Sequence, residues 1–93
     1  MKSYIHVLWH HDHSEEPVEI ISEIVSGVET RKIEIYRDGR IGFADSNRAV
    51  GGSILSEGSM PSLTEINAQA ECSGEGISEA AFTKLWSQYV EGE

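Results

Sequence analysis

Apolar and polar residues alternate with a period of two in the first half of the chain, and apolar residues recur at helical spacing in the second half. The alternating half predicts four β-strands, at residues 4–9, 18–25, 28–36 and 40–45. Residues 53–56 are compatible with a short fifth strand. Polar, proline-containing or glycine-containing segments separate the strands and predict turns.

The turn around Gly39 determines how the third and fourth strands pair. A two-residue turn would place Ile35 opposite Gly42 and mix the two faces, whereas a three-residue loop places Ile35 opposite Ile41. The longer loop also pairs Ile33 with Phe43, which keeps all four apolar side chains on one face. We therefore predict a three-residue loop in which Gly39 adopts the left-handed conformation and forms a bulge.

Two helices are predicted near the carboxyl end. Ser62 with Glu65 three residues later forms a capping box, and Ser78 is the expected N-cap of the second helix. Gly74 and Gly76 are expected to break the chain between them. The residues expected to face inward are Leu63, Ile66 and Ala70 in the first helix and Phe82, Leu85, Trp86, Tyr89 and Val90 in the second.

These elements predict a single α+β domain over residues 1–93. Its sheet is expected to be an antiparallel meander of four or five strands, with both C-terminal helices packed on one face. A chain of this length can build one hydrophobic core, with little room for a deep enclosed active site.

Composition narrows the function classes. The 93 residues carry a formal net charge of −9, which argues against binding nucleic acids or anionic membranes, because both require clustered Lys and Arg. The longest apolar runs have three residues, far short of a membrane span of about 20. His6 and His10 interrupt any signal-peptide core, and Cys72 is the only cysteine, so we expect a cytoplasmic location.

Charge is unevenly distributed along the chain. Residues 1–30 hold one lysine against six acidic residues, and residues 49–93 hold one lysine against seven glutamates. Residues 31–48 hold five basic residues against three acidic ones. We expect this basic hairpin to be neutralised internally, with Glu19 and Glu23 lying across from Lys32 or Arg40.

Several segments resemble a family of uncharacterised bacterial proteins of about this length. The resemblance implies a domain of unknown function and assigns no catalytic residues. The size and acidity of the chain are also similar to those of immunity proteins from bacterial toxin systems, which is an analogy. The segments are WHHD (9–12), EPV (16–18), SEI (22–24), RKIEIYRDGRIG (31–42), LSE (55–57), PSLTEIN (61–67) and FTKLW (82–86).

The loop from His10 to His13 is the candidate chemical site. Histidine and carboxylate side chains bind zinc and similar ions, and His11 and His13 are the candidate ligands if the loop is extended. A structural metal site usually needs four ligands, and the remaining histidine lies in the first strand, so a polar loop is the alternative interpretation. The glycine pair at 51–52 indicates a turn, and Cys72 has no basic neighbour in sequence that would activate it.

The leading hypothesis is a non-catalytic cytoplasmic protein that binds a basic protein partner, specifically an immunity protein that inhibits a nuclease-type toxin. No cofactor is expected. Two alternatives remain open: a small metal-dependent or hydrolytic enzyme that uses the histidine loop, and an accessory or regulatory domain that dimerises through a strand edge. The predicted partner-binding residues are Asp12, Glu15, Glu16, Glu19 and Glu23.

Overall fold

The computed structural model describes residues 1–91 and consists of a six-stranded antiparallel sheet with helices on both faces. The strand order is β5-β4-β3-β2-β1-β6, so β1 to β5 form a meander and β6 returns to pair with β1. The strands are β1 (Lys2–Trp9), β2 (Glu19–Val25), β3 (Val28–Ile35), β4 (Ile41–Ala44), β5 (Ala49–Val50) and β6 (Cys72–Ile77). The helices are α1 (Leu63–Asn67) and α2 (Glu79–Trp86), and a π-helical turn (Ser87–Glu91) extends α2.

The β3–β4 hairpin has the predicted register. Ile35 lies opposite Ile41, and Ile33 lies opposite Phe43. The N–H of Tyr36 donates to the carbonyl of Arg40, the residue before β4, at 2.9 Å. Gly39 has a φ of +92°, which confirms the predicted left-handed residue in a three-residue loop.

The two helices pack on opposite faces of the sheet, so the prediction that both share one face is wrong. Tyr4 belongs to the buried cluster beneath α2, whereas its neighbour Ile5 and Val7 belong to the cluster beneath α1. Neighbouring residues of a strand point to opposite faces. Because β1 and β2 carry large apolar side chains on both faces, a helix must pack on each face to remove those side chains from water.

The segment around Gly74 forms strand β6, which was not predicted. A Cβ atom at Gly74 would lie 3.1 Å from Leu63 Cδ2 and 3.2 Å from Ile66 Cγ2. Glycine therefore allows α1 to pack directly over the strand, and it does not break the chain here. Ala70, which was expected to face inward, lies beyond the end of α1 and is exposed.

Both predicted helix caps are present. The Ser62 hydroxyl accepts from the Glu65 N–H at 3.2 Å, and the Glu65 carboxylate accepts from the Ser62 N–H at 2.9 Å. The Ser78 hydroxyl accepts from the Ala81 N–H at 3.0 Å. These contacts satisfy N–H groups that have no partner within the helix.

A segment of turns and irregular backbone at residues 51–59, here called the strap, covers β3 and β4 on the α1 face. The fifth strand precedes the strap, at Ala49–Val50, and does not lie at residues 53–56. Ser53 Oγ donates to Glu34 Oε1 at 2.5 Å, and the Ser56 N–H donates to Glu29 Oε1 at 2.8 Å. A Cβ atom at Gly42 would collide with Ser53 Oγ, so the strap lies directly on the sheet backbone.

A charged layer is buried beneath the strap. Lys32 Nζ lies 3.2 Å from Glu29 Oε1 and 3.9 Å from Glu34 Oε2. Ser22 Oγ donates to the second oxygen of Glu29 at 2.6 Å. Buried charges are costly unless they are paired and hydrogen-bonded, and here Glu29 has three partners.

No helix within residues 1–91 is both long enough and apolar enough to cross a membrane.

Candidate functional site

Three of the predicted binding residues lie on the loop between β1 and β2. Asp12, Glu15 and Glu16 are all exposed there. The loop is anchored where the Trp9 N–H donates to the Val18 carbonyl at 2.9 Å. Their carboxylates are therefore grouped on one solvent-facing loop at the end of the sheet, here called the acidic loop. Residues 10–13 of the same loop are called the histidine loop.

Glu19 lies at the start of β2, beside this loop. Its Oε1 atom is 2.8 Å from His6 Nε2, and its side chain is partly exposed. Glu19 therefore extends the acidic loop onto the α2 face of the sheet.

Glu23 does not belong to this surface. It is 6% exposed and accepts hydrogen bonds from Arg31 Nε at 3.0 Å and Arg31 Nη2 at 2.6 Å. Thr30 Oγ1 donates to the same carboxylate at 2.8 Å. The hydrogen bonds from Arg31 lower the pKa of Glu23 from 4.5 to about 2, against the opposing effect of burial. Glu23 is therefore an internal ion-pair partner, and the prediction that it lies on the binding surface is corrected.

Arg31 connects this ion pair to α2. Its guanidinium carbon lies 4.8 Å from the ring centroid of Phe82 and 4.9 Å from that of Trp86. The Tyr4 hydroxyl donates to Glu79 at the start of the same helix, at 3.2 Å. Glu23 and Arg31 therefore stabilise the packing of α2 on the sheet.

Four of the five basic side chains of the hairpin pair with carboxylates of the chain itself, as predicted, but the predicted pairs are wrong, since Glu23 lies across from Arg31 and Glu19 lies across from Ile35. Arg31 pairs with Glu23, and Lys32 pairs with Glu29. The other three basic side chains contact nearby acceptors: Arg40 contacts Asp38, Arg48 contacts Asp45, and Arg37 donates to the carbonyl of His11.

The histidine loop is organised around His11. Its Nε2 atom lies 2.7 Å from the Pro17 carbonyl, and its Nδ1 atom accepts from the His13 N–H at 3.0 Å. Because a carbonyl only accepts, these contacts assign the proton to Nε2 and leave Nδ1 unprotonated. The ring also packs edge-on against Trp9, with centroids 4.4 Å apart. A metal ion at His11 would have to displace one of these hydrogen bonds.

The other candidate chemical groups give no catalytic arrangement. Among residues 1–91, no three His, Cys, Asp or Glu side chains are placed to hold a metal ion together. Burial, aided by the negative charge of Glu71, raises the pKa of Cys72. This shift favours the protonated thiol, whereas a cysteine nucleophile needs the thiolate.

An open depression of about 600 Å³ lies between the histidine loop and the sheet. Leu8 and Glu19 line it from the sheet, Asp12 lines it from the loop, and Arg37 lines it from the turn between β3 and β4. Leu8 was not among the predicted site residues, although the alternation in β1 places this apolar residue on the same face as His6.

The comparisons with known proteins identify a family. No curated protein and no solved structure matches the chain. A family model with the description "Domain of unknown function (DUF6881)" matches residues 3–91. Because this match covers nearly the whole chain, the protein belongs to the family of that domain of unknown function.

Proposed function

We propose that the protein is a non-catalytic binding protein for a basic protein partner, and that it acts as an immunity protein against a nuclease-type toxin. The observation that supports this proposal is a contrast between basic side chains that are paired with carboxylates of the same chain and acidic side chains that are exposed and free to meet a partner. Arg31 and Lys32 of the central hairpin are largely buried and paired with glutamates, and Arg40 and Arg48 pair with nearby aspartates at the surface, whereas Asp12, Glu15 and Glu16 face solvent on one loop.

This arrangement suits recognition of a cationic surface. A group of exposed carboxylates attracts a positively charged partner over a distance and accelerates association. Arg37 is the basic group beside the loop, and it donates to the His11 carbonyl. The electrostatic potential that an approaching protein meets is therefore predominantly negative around Asp12, Glu15, Glu16 and Glu19.

Inhibition would follow from competition for cations. A nuclease binds phosphates through Lys and Arg side chains. Carboxylates from the acidic loop would pair with those side chains and keep nucleic acid out of the cleft. No step of this mechanism requires catalysis by the inhibitor.

The histidine-loop enzyme receives less support from the geometry. Both ring nitrogens of His11 are used to hold the loop, through the Pro17 carbonyl and the His13 N–H. The raised pKa of Cys72 likewise argues against a cysteine nucleophile. A cytoplasmic location remains part of the proposal, supported by the single cysteine, which forms no internal disulfide.

The test is affinity capture of the full chain from its native cells, followed by mass spectrometry and binding measurements with the captured protein. We expect a basic protein encoded by the neighbouring gene, toxic when expressed alone and harmless when co-expressed. The double variant Glu15→Lys/Glu16→Lys should weaken binding and reduce its dependence on salt.

Glu57→Lys is the control for this experiment, because Glu57 is exposed on the strap, away from the acidic loop. The double variant changes the net charge twice as much as the control, so if Glu57→Lys loses about half as much binding free energy as the double variant, only net charge matters and the proposed loop is not the contact. Capture of an acidic protein, or unchanged affinity in the double variant, would overturn the proposal.

A further inference from the structure

The α2 face of the sheet is covered at one end only. The cluster beneath α2 contains Tyr4 of β1, but His6 and Leu8 on the same face of that strand belong to no buried cluster. The row across the open end runs from Ser73 through Leu8 to Glu19, and the neighbouring row places Glu75 beside His6. This area, here called the Leu8 face, consists of His6, Leu8, Glu19, Ser73 and Glu75.

Leu8 is an apolar side chain on an otherwise polar surface. It is 41% exposed, although β1 is flanked by a strand on each side. The solvated face of an antiparallel sheet usually carries polar residues at such positions. Val28 and Val50, the comparably exposed valines, lie at a strand end and on the edge strand β5.

Open space borders Leu8 on both sides. The depression next to the histidine loop holds about 600 Å³, and a second one, of about 230 Å³, is lined by His6, Ser73, Gly74 and Glu75 together with Leu8. Leu8 is therefore a ridge between two hollows that side chains of a partner can enter.

Carboxylates lie on both sides of this ridge. Glu19 is on β2 and Glu75 is on β6, so they are separated by β1, roughly 10 Å across the strands and, because Glu19 pairs with Leu8 and Glu75 with His6, roughly 7 Å along them. Glu19 is already hydrogen-bonded to His6, and Glu75 is exposed. An apolar centre between two acidic groups is complementary to an apolar side chain flanked by cations.

We infer that the Leu8 face is where the basic partner inserts an apolar side chain that has a Lys or Arg on each side. This inference rests on the proposed function, since it extends the acidic loop to a second, partly apolar contact. The apolar anchor would supply specificity that the loop carboxylates lack, because buried anchors dominate binding energy while exposed charges mainly affect association rate.

The test uses a short synthetic peptide in which one serine separates a central leucine from a lysine on each side, so that the leucine and both lysines share a face when the peptide is extended; it is titrated into the full chain and followed by amide NMR. The largest shift changes should occur at Leu8, Ser73 and Glu75. A lysine–serine peptide should bind about tenfold more weakly, since it lacks the apolar anchor. A glutamate–leucine peptide should not bind.

Variants of the protein distinguish binding of the peptide at the Leu8 face from nonspecific attraction of the peptide to the net negative charge. Leu8→Thr keeps a strand-forming residue and should weaken binding about tenfold, whereas the matched Val50→Thr on β5 should leave it unchanged. Glu75→Lys should weaken binding several-fold while Glu57→Lys does not, and this pair keeps the test valid if Leu8→Thr fails to fold.

Three results would overturn the inference. Equal binding of the lysine–serine peptide would show attraction to acidity alone, and equal effects of Leu8→Thr and Val50→Thr would exclude a localised anchor. A dimer in sedimentation experiments that Leu8→Thr dissociates would assign the face to a second copy of the chain. The peptide assay needs no native partner, so its failure is distinguishable from a failed capture experiment.

Discussion

Arg31 holds the carboxylate of Glu23 with two hydrogen bonds, one from Nε and one from Nη2, on the face of the sheet that α2 covers. The same guanidinium contacts the rings of Phe82 and Trp86. One ion pair therefore connects β2, β3 and the C-terminal helix, and its strength should be measurable as stability.

Acid should weaken this ion pair over a defined pH range. The pKa of Glu23 is lowered to about 2 in the folded chain, from 4.5. A depressed folded-state pKa contributes stability above the unfolded value and loses it as pH falls through the folded value. The contribution, about 3 kcal/mol, should be fully present well above pH 4.5 and be lost progressively as the pH falls towards 2.

Glu23→Gln removes this titration and isolates it from the other carboxylates. The difference in the free energy of unfolding between wild type and variant, from urea denaturation, should shrink between pH 5 and pH 3, starting from the ordinary pKa of 4.5. A difference that is constant with pH would show that Glu23 ionisation does not contribute.

Replacing Arg31 by lysine should destabilise the fold although the charge is retained. Lysine cannot make the two-pronged contact with Glu23 or lie flat over Phe82 and Trp86, so we expect a loss of about 1–2 kcal/mol in urea denaturation. The matched control is Arg40→Lys. Arg40 bonds Asp38 through Nε at 2.8 Å and lies 4.8 Å from the Tyr36 ring centroid, but this pair is exposed.

Exposed ion pairs contribute little, so Arg40→Lys should change stability by less than about 0.5 kcal/mol. Equal effects at the two positions would show that burial beneath α2 adds nothing to the Arg31 contact.

Removing the Asn67 side chain should open the free edge of the sheet. The Asn67 amide donates to the Gly74 carbonyl at 3.0 Å and accepts from the Gly74 N–H at 2.7 Å, which are the two bonds that another strand would make. In Asn67→Ala the Gly74 amide should exchange with solvent faster, and self-association should increase with concentration. Asn47→Ala, in the exposed loop after β4, is the control, and unchanged exchange at Gly74 would contradict this role.

The β3–β4 turn should depend on glycine at position 39. Gly39→Ala places a Cβ atom at a φ of +92°, which should cost about 1 kcal/mol and lower the melting temperature, even though nothing lies within 4 Å of that atom. Gly76→Ala is the control, because Gly76 is not in the left-handed region and its added Cβ would have no neighbour closer than 3.9 Å. Equal melting temperatures for wild type and Gly39→Ala would argue against strain at this turn.

Local patterns predicted much of the fold. The register of the β3–β4 hairpin followed from keeping Ile33, Ile35, Ile41 and Phe43 on one face, because a one-residue slip would expose them. The caps at Ser62 and Ser78 were likewise predictable, since each depends on a contact within three residues.

The long-range features were not predicted. Strand β6 is rich in glycine because α1 packs on Gly74, a constraint that is visible only after the chain has folded. Glu23 was assigned to the surface because its partner Arg31 lies on the neighbouring strand, and sequence spacing alone did not distinguish Arg31 from Lys32. The Leu8 face combines residues from three strands, one of which was unrecognised.

The strap has a consequence for labelling the protein. It contacts the sheet through backbone at Gly42 and Gly51, where an added Cβ at Gly51 would lie 2.8 Å from Gly42 Cα, so neither position has room for a side chain. Ile54, by contrast, is 71% exposed, and Glu57 is also exposed. With Cys72→Ser to remove the native thiol, a fluorophore attached to Glu57→Cys would therefore report partner binding through the slower rotation of the complex, from a site that leaves both the glycine contact and the Leu8 face intact.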